Sequence, residues 1–136
     1  MPDQAYYCAV DEPHIINRIV WVGSSLKDLR LFPAEVKDVM GYALYQAQVG
    51  SKAPSAKPLT GFGGASVLEI VDDYESDTYR AVYTVKFPGV VYVLHVFQKK
   101  SKKGITMPRP NMELIRKRLK VAEEDYRERH SARRDR

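Results

Sequence analysis

The chain has 136 residues, 44% of them hydrophobic, with one cysteine and a formal net charge of +5. This suits a single folded domain over 1–136 with a proper core. It excludes an intrachain disulfide and a cysteine-based zinc site, and no apolar run reaches the length of a membrane span. The opening MPDQAYYCAVDEP is polar and acidic rather than a secretory signal, so a cytoplasmic protein is expected. Charge is distributed unevenly. Residues 99–136 carry 14 Lys/Arg against 6 Asp/Glu, whereas the first 98 carry 8 against 11. A basic end of this kind suits a surface that meets phosphates, or a solvated helix and tail.

In chain order, IINRIVWV (Ile15 to Val22) is β-branched and reads as a first strand. Ser25 with Asp28 three residues on reads as a helix-capping pair for a short helix from Leu26 to Leu31. Pro33 restarts a helix, since proline suits a first turn. Val36, Val39, Met40, Ala43, Leu44 and Ala47 give it one apolar stripe, a packing face that Gly50 ends. Ser51 to Ser66 reads as a long loop. Its glycines, Gly61, Gly63 and Gly64, lack the Gly-Lys-Ser/Thr that a phosphate-cradling loop requires, so they are read as turn residues. Three strands follow: Val67 to Val71, Thr78 to Phe87 and Val90 to Gln98. A polar turn at Asp72 to Asp77 and Pro88-Gly89 separate them, which predicts an antiparallel meander.

A basic loop, Lys99 to Pro110, leads to a last helix capped by Asn111. Met112, Ile115, Leu119, Ala122 and Tyr126 form its apolar face. Residues 1–14 and 130–136 are expected to be flexible. The predicted fold is α+β, ordered β-α-α-β-β-β-α: a small, mostly antiparallel sheet with helices packed on one face and chemistry on the other.

Strand alternation places Glu69 and Arg80 on the less apolar side, where they could form a cross-strand pair. His95 lies inside an apolar strand, the usual setting of a hydrogen-bonded core histidine. The sequence has no HxH, HExxH, dense carboxylate cluster or Gly-x-Ser-x-Gly, so neither a metal site nor a serine hydrolase is expected, and no cofactor. The strongest local signal is FQKKSKKG, Phe97 to Gly104, with four lysines around one serine directly after a strand. Lysines there can neutralise phosphates and stabilise charge on a phosphorane, and Phe97 can stack on a base.

Taken together, WVGSSLKDLRLFP, YALYQAQ, SAKPLTGFGG, VLEI, YRAVYTV, VLHVFQKKSKKG and ELIRKRL stand in an order that resembles the RelE/ParE superfamily of bacterial type II toxins, in particular its phage-derived HigB-like branch. The resemblance runs from about Val20 to Tyr126. It implies a RelE-like fold and metal-independent endonucleolytic cleavage of mRNA, usually on the ribosome. It also implies a cognate antitoxin, expected to carry a helix-turn-helix domain.

Carried onto matching positions, the resemblance makes Lys57 and Arg80 phosphate-stabilising cations. It makes Glu69 a base or a group that orients Arg80, and Lys99 a catalytic lysine. Phe97, Lys100, Lys102 and Lys103 become RNA or ribosome contacts. Some members use a tyrosine or histidine near the C-terminus as the base. Here Tyr126 lies on the apolar stripe and His130 in the expected tail, which leaves His95 as a fallback. Two alternatives stay open: a ParE-like toxin that poisons DNA gyrase, and a non-catalytic RNA-binding module.

Overall fold

A computed structural model describes residues 16–99 and 107–134. The elements are β1 (Arg18–Trp21), α1 (Ser25–Arg30), α2 (Ala34–Gln48), β2 (Ala56–Pro58), β3 (Val67–Tyr74), β4 (Asp77–Thr84), β5 (Val90–Lys99) and α3 (Arg109–Arg134). The five strands form one sheet in the order β1-β5-β4-β3-β2. β2 to β5 pair antiparallel in sequence, and β1 lies parallel to β5 at the other edge. The α+β class and the mostly antiparallel sheet are as expected. No helix among the described residues is long and apolar enough to cross a membrane.

Helices cover both faces of the sheet rather than one. Alternation along the strands explains why: both sides are apolar, and each needs a cover. One face buries Leu68, Ile70, Ala81, Tyr83, Val91 and Val93 against Val36, Met40, Ala43, Leu44 and Ala47 of α2. The other buries Val67, Val82, Tyr92 and Leu94 against Ile115 and Ala122 of α3, with Met112, Leu119 and Tyr126 alongside. Both predicted helical stripes are packing faces. The second lies on the side that was expected to be open.

Several local expectations shift for identifiable reasons. Ser25 is not a cap but the first residue of α1. It is fully buried, and its hydroxyl donates to the Val93 carbonyl at 3.2 Å. Ser24 precedes the helix and donates to the Asp28 carboxylate at 2.8 Å. Asn111 is not a cap either, because α3 begins two residues earlier at Arg109. The long loop contains the edge strand β2, where Pro58 is tolerated because edge positions need not donate to a ladder. The turn expected over Asp72 to Asp77 contracts to Glu75-Ser76, with Glu75 in the left-handed region at φ 57°.

α3 also continues as helix to Arg134, through much of the segment expected to be a flexible tail. Ion pairs one turn apart accompany this extension: Arg127 with Glu123 at 4.0 Å and Arg129 with Asp125 at 2.8 Å. The helix is fastened to the sheet at both ends. Arg118 donates to the Leu94 carbonyl at 2.9 Å, Tyr92 donates to Asp125 at 2.7 Å, and Tyr126 donates to the Pro88 carbonyl at 2.9 Å.

Ile115 has no exposed surface and is the largest fully buried side chain of α3. Ile115→Ala should therefore destabilise the fold by about 2–5 kcal/mol, read as a lower urea midpoint at unchanged m-value. A loss under 1 kcal/mol would mean that α3 contributes little to the core.

Candidate functional site

The register of the sheet brings most of the candidate residues onto one face. Directly paired residues of neighbouring strands project to the same side. Lys57 pairs with Glu69, Glu69 with Val82, and Val82 with His95. The next row is Val71, Arg80 and Phe97, and the one after is Asp73, Thr78 and Lys99. All belong to the α3 side of the sheet, since Val82 and Phe97 lie in its apolar cluster.

The alternation of β5 groups His95, Phe97 and Lys99 as observed, and what it misses is Leu94. It separates Leu94 from His95, Phe97 and Lys99. A register shift between Val82 and Tyr83 resolves the difference: Val82 faces His95 while Tyr83 faces Val93, so Leu94 is the extra residue of a β-bulge. Leu94 and Tyr92 then share the α3 side with His95 and Phe97, and Val96 turns to the α2 side. The Leu94 carbonyl accepts from Arg118 at 2.9 Å. The same guanidinium lies against Gly23, where a Cβ would come within 2.8 Å of it.

Glu69 and Arg80 meet in a 2.7 Å ion pair, and their side chains are only 4% exposed each. The cross-strand pair predicted between them is present, but it is a buried one. Burying two charges is costly and is offset only by good geometry. The two groups therefore orient each other firmly: Glu69 holds one arm of the Arg80 fork. Lys57 stands exposed on the edge strand opposite Glu69, and Lys99 is half-buried opposite Thr78. Phe97 is partly buried and stacks on His95, with ring centroids 4.8 Å apart and planes 17° apart. Lys100, Lys102 and Lys103 lie outside the described residues.

His95 is nearly buried. With the Asn111 amide nitrogen as donor, its Nε2 accepts at 2.8 Å and the ring proton sits on Nδ1, which is buried with no partner among the described residues. Burial, together with the nearby charge of Arg118, pushes its pKa down to about 4, against a smaller opposing effect of Asp28. The ring is therefore neutral near pH 7, and its basic nitrogen is already occupied. In this arrangement His95 ties β5 to the start of α3, and the fallback role of base does not suit it.

Tyr126 and His130 sit together at the far end of α3, with rings 4.3 Å apart. Tyr126 is spent on the Pro88 carbonyl. Sequence reasoning missed Asn111, which was read as a cap, and Arg118, which was not singled out. A signal for Asn111 would have been a second amide-bearing partner for a histidine in an apolar strand. For Arg118 there was none without the bulge. Among the described residues no group of three or more His, Cys, Asp or Glu is placed to hold a metal ion.

A family model described as Phage derived protein Gp49-like (DUF891) matches residues 27–120, well over half of the chain. Neither the curated proteins nor the solved structures yield a match.

Two stability predictions follow from this geometry. Glu69→Ala leaves buried Arg80 without its carboxylate and should cost about 3–5 kcal/mol in urea unfolding, while Glu69→Leu with Arg80→Met should recover most of the loss. Equal losses for the single and double variants would contradict a coupled pair. For His95 the folded pKa lies below the unfolded one. Protonation therefore favours the unfolded chain, and stability, full above pH 6.5, falls towards pH 4 by up to about 3 kcal/mol. His95→Gln should flatten that slope, and an unchanged slope would assign it to the carboxylates.

Proposed function

The chain belongs to the phage-derived Gp49-like family, a toxin-like family, and on that premise we propose that it is the toxin of a type II toxin–antitoxin pair and a metal-independent endoribonuclease acting on mRNA, in the manner of the RelE-type toxins it resembles. The observation that carries the reading is the shared face of Lys57, Glu69, Arg80, Phe97 and Lys99, assembled by strand register and the β5 bulge.

The reaction needs little more than position and positive charge. The 2′-hydroxyl of one nucleotide attacks its own 3′-phosphate, and its proton is withdrawn. The bond from phosphorus to the 5′-oxygen breaks, and that oxygen takes up a proton. The products are a 2′,3′-cyclic phosphate and a 5′-hydroxyl. Negative charge gathers on the phosphorane oxygens, where fixed cations act best because they need no reorganisation. Lys57 is exposed at the edge of the face and available to the phosphate. Arg80 is pre-oriented by Glu69 and brings a planar guanidinium to this face. Lys99 supplies a further cation from the end of β5.

Because Arg80 is 3% exposed, RNA has to displace side chains of the α3 side to reach it. Holding the RNA in line is the remaining requirement, and a ribosome-bound message is already constrained. The antitoxin would then be the partner that occupies or covers this basic face, offering acidic or apolar segments to it.

The test is induction in bacteria with mRNA ends mapped by primer extension. Wild type should produce new ends within translated frames. Lys57→Ala should reduce them at least tenfold, since an exposed lysine can be removed without harm to the core. Arg80→Lys keeps a cation but loses the fork, and should reduce them similarly. Growth arrest without new ends would shift the reading to gyrase or another target. Neither arrest nor new ends would leave a binding module.

A further inference from the structure

The connection from β2 to β3 lies against α3 more closely than packing alone requires. Gly61 (φ 107°) and Gly63 (φ 71°) adopt backbone conformations that favour glycine. A Cβ on Gly61 would stand 3.0 Å from the Met112 methyl and 3.4 Å from the Arg116 guanidinium, so loop and helix meet at a distance few side chains allow. The approach sets Phe62 partly buried beside the α3 cluster. The guanidinium carbon of Arg116 lies 4.8 Å from the centre of the Phe62 ring, while Arg116 as a residue is exposed. A loop that needed only fastening would be served by an apolar residue at 116. What is built instead is an aromatic ring with a planar cation over it at the surface.

The surroundings specify what such a plane would receive. Lys57 lies in β2 just before this connection, on the α3 side, and Lys120 is exposed one helical turn beyond Arg116. A guanidinium plane backed by an aromatic ring stacks well on a base, and flanking lysines neutralise phosphates. We infer that Phe62 and Arg116 form a stacking platform for one nucleobase of single-stranded RNA, with Lys57 and Lys120 on the adjoining phosphates. The choice of RNA rests on the function proposed above. The platform positions substrate and takes no part in bond making.

The test uses the whole protein and an RNA oligonucleotide methylated at every 2′-oxygen, which lacks the attacking hydroxyl and so reports binding without cleavage. A single 2-aminopurine is moved along it, and its fluorescence is quenched when it stacks. Wild type should quench it strongly at one position. Arg116→Lys keeps the charge and loses the plane, whereas Phe62→Leu keeps the apolar contact and loses the ring. Each should abolish the positional quenching and weaken binding roughly tenfold. Arg116→Lys should also leave the salt dependence of binding unchanged.

A melting temperature within a few degrees of wild type shows that the variants are folded. Quenching and affinity unchanged in both variants overturn the platform even if the protein cleaves unmodified RNA. Stacking that is lost in the variants, in a protein that never cleaves, supports the platform and sinks the endonuclease. A wild type that binds no RNA overturns the platform alone, because cleavage on the ribosome is read separately from the mapped mRNA ends.

Discussion

Between Val82 and Tyr83 the register of β4 against β5 slips by one residue, and the chemistry of the α3 side depends on that slip. Without it His95, Phe97 and Lys99 would point towards α2, into a cluster of alanines, valines and tyrosines where a lysine has no outlet. With it they join Glu69 and Arg80. At the bulge the Leu94 carbonyl accepts from a side chain, and a buried carbonyl left unserved costs about 1–3 kcal/mol. Arg118 serves it and covers Gly23 with the same guanidinium. Bulge, glycine and helix therefore form one unit.

The two faces of the sheet do different work. The α2 face is a plain apolar core, and Tyr83, its largest fully buried side chain, has its hydroxyl pKa pushed up to about 12 by burial. The α3 face is mixed. Its end near the β4–β5 turn is apolar and aromatic, with Phe87 packed against Tyr92 and Tyr126. Its other end holds the Glu69–Arg80 pair and the His95–Asn111 contact. Burial makes the ion pair an orienting device more than a source of stability. Cations able to meet a ligand directly stand around it, on the edge strand and on the outer side of α3.

Much of this was legible in the residues. The apolar stripes of α2 and α3 name their buried faces correctly, because a period near four residues leaves few alternatives. VLEIV and TYRAVYTV place Glu69 and Arg80 on one side by alternation alone. In β5 the same rule groups His95, Phe97 and Lys99 correctly, but both sides of the strand are apolar, so no pattern in VVYVLHVFQ marks where an extra residue enters. β2 is three residues long and contains a proline, and it exists only because β3 offers a partner. The expectation of an uncovered face failed for a related reason. Glu69 and Arg80 look like surface residues until it is seen that they neutralise each other. Phe62 and Arg116 could not be paired at all from sequence, since their meeting depends on how near Gly61 lets the loop come.

The parallel pairing of β1 with β5 sets the order in which this molecule can be assembled. β1 has no neighbour in the sheet until Val90 to Val93 have been synthesised. β5 is then flanked by β4 and β1, but its bulge carbonyl and His95 wait for Asn111 and Arg118 of α3. The contacts that complete this face join β5 to α3 over only 16 and 24 residues, whereas β1 and β5 pair across most of the described chain. A chain made only as far as β5 would carry Lys57, Glu69 and Arg80 without the helix that packs over their face.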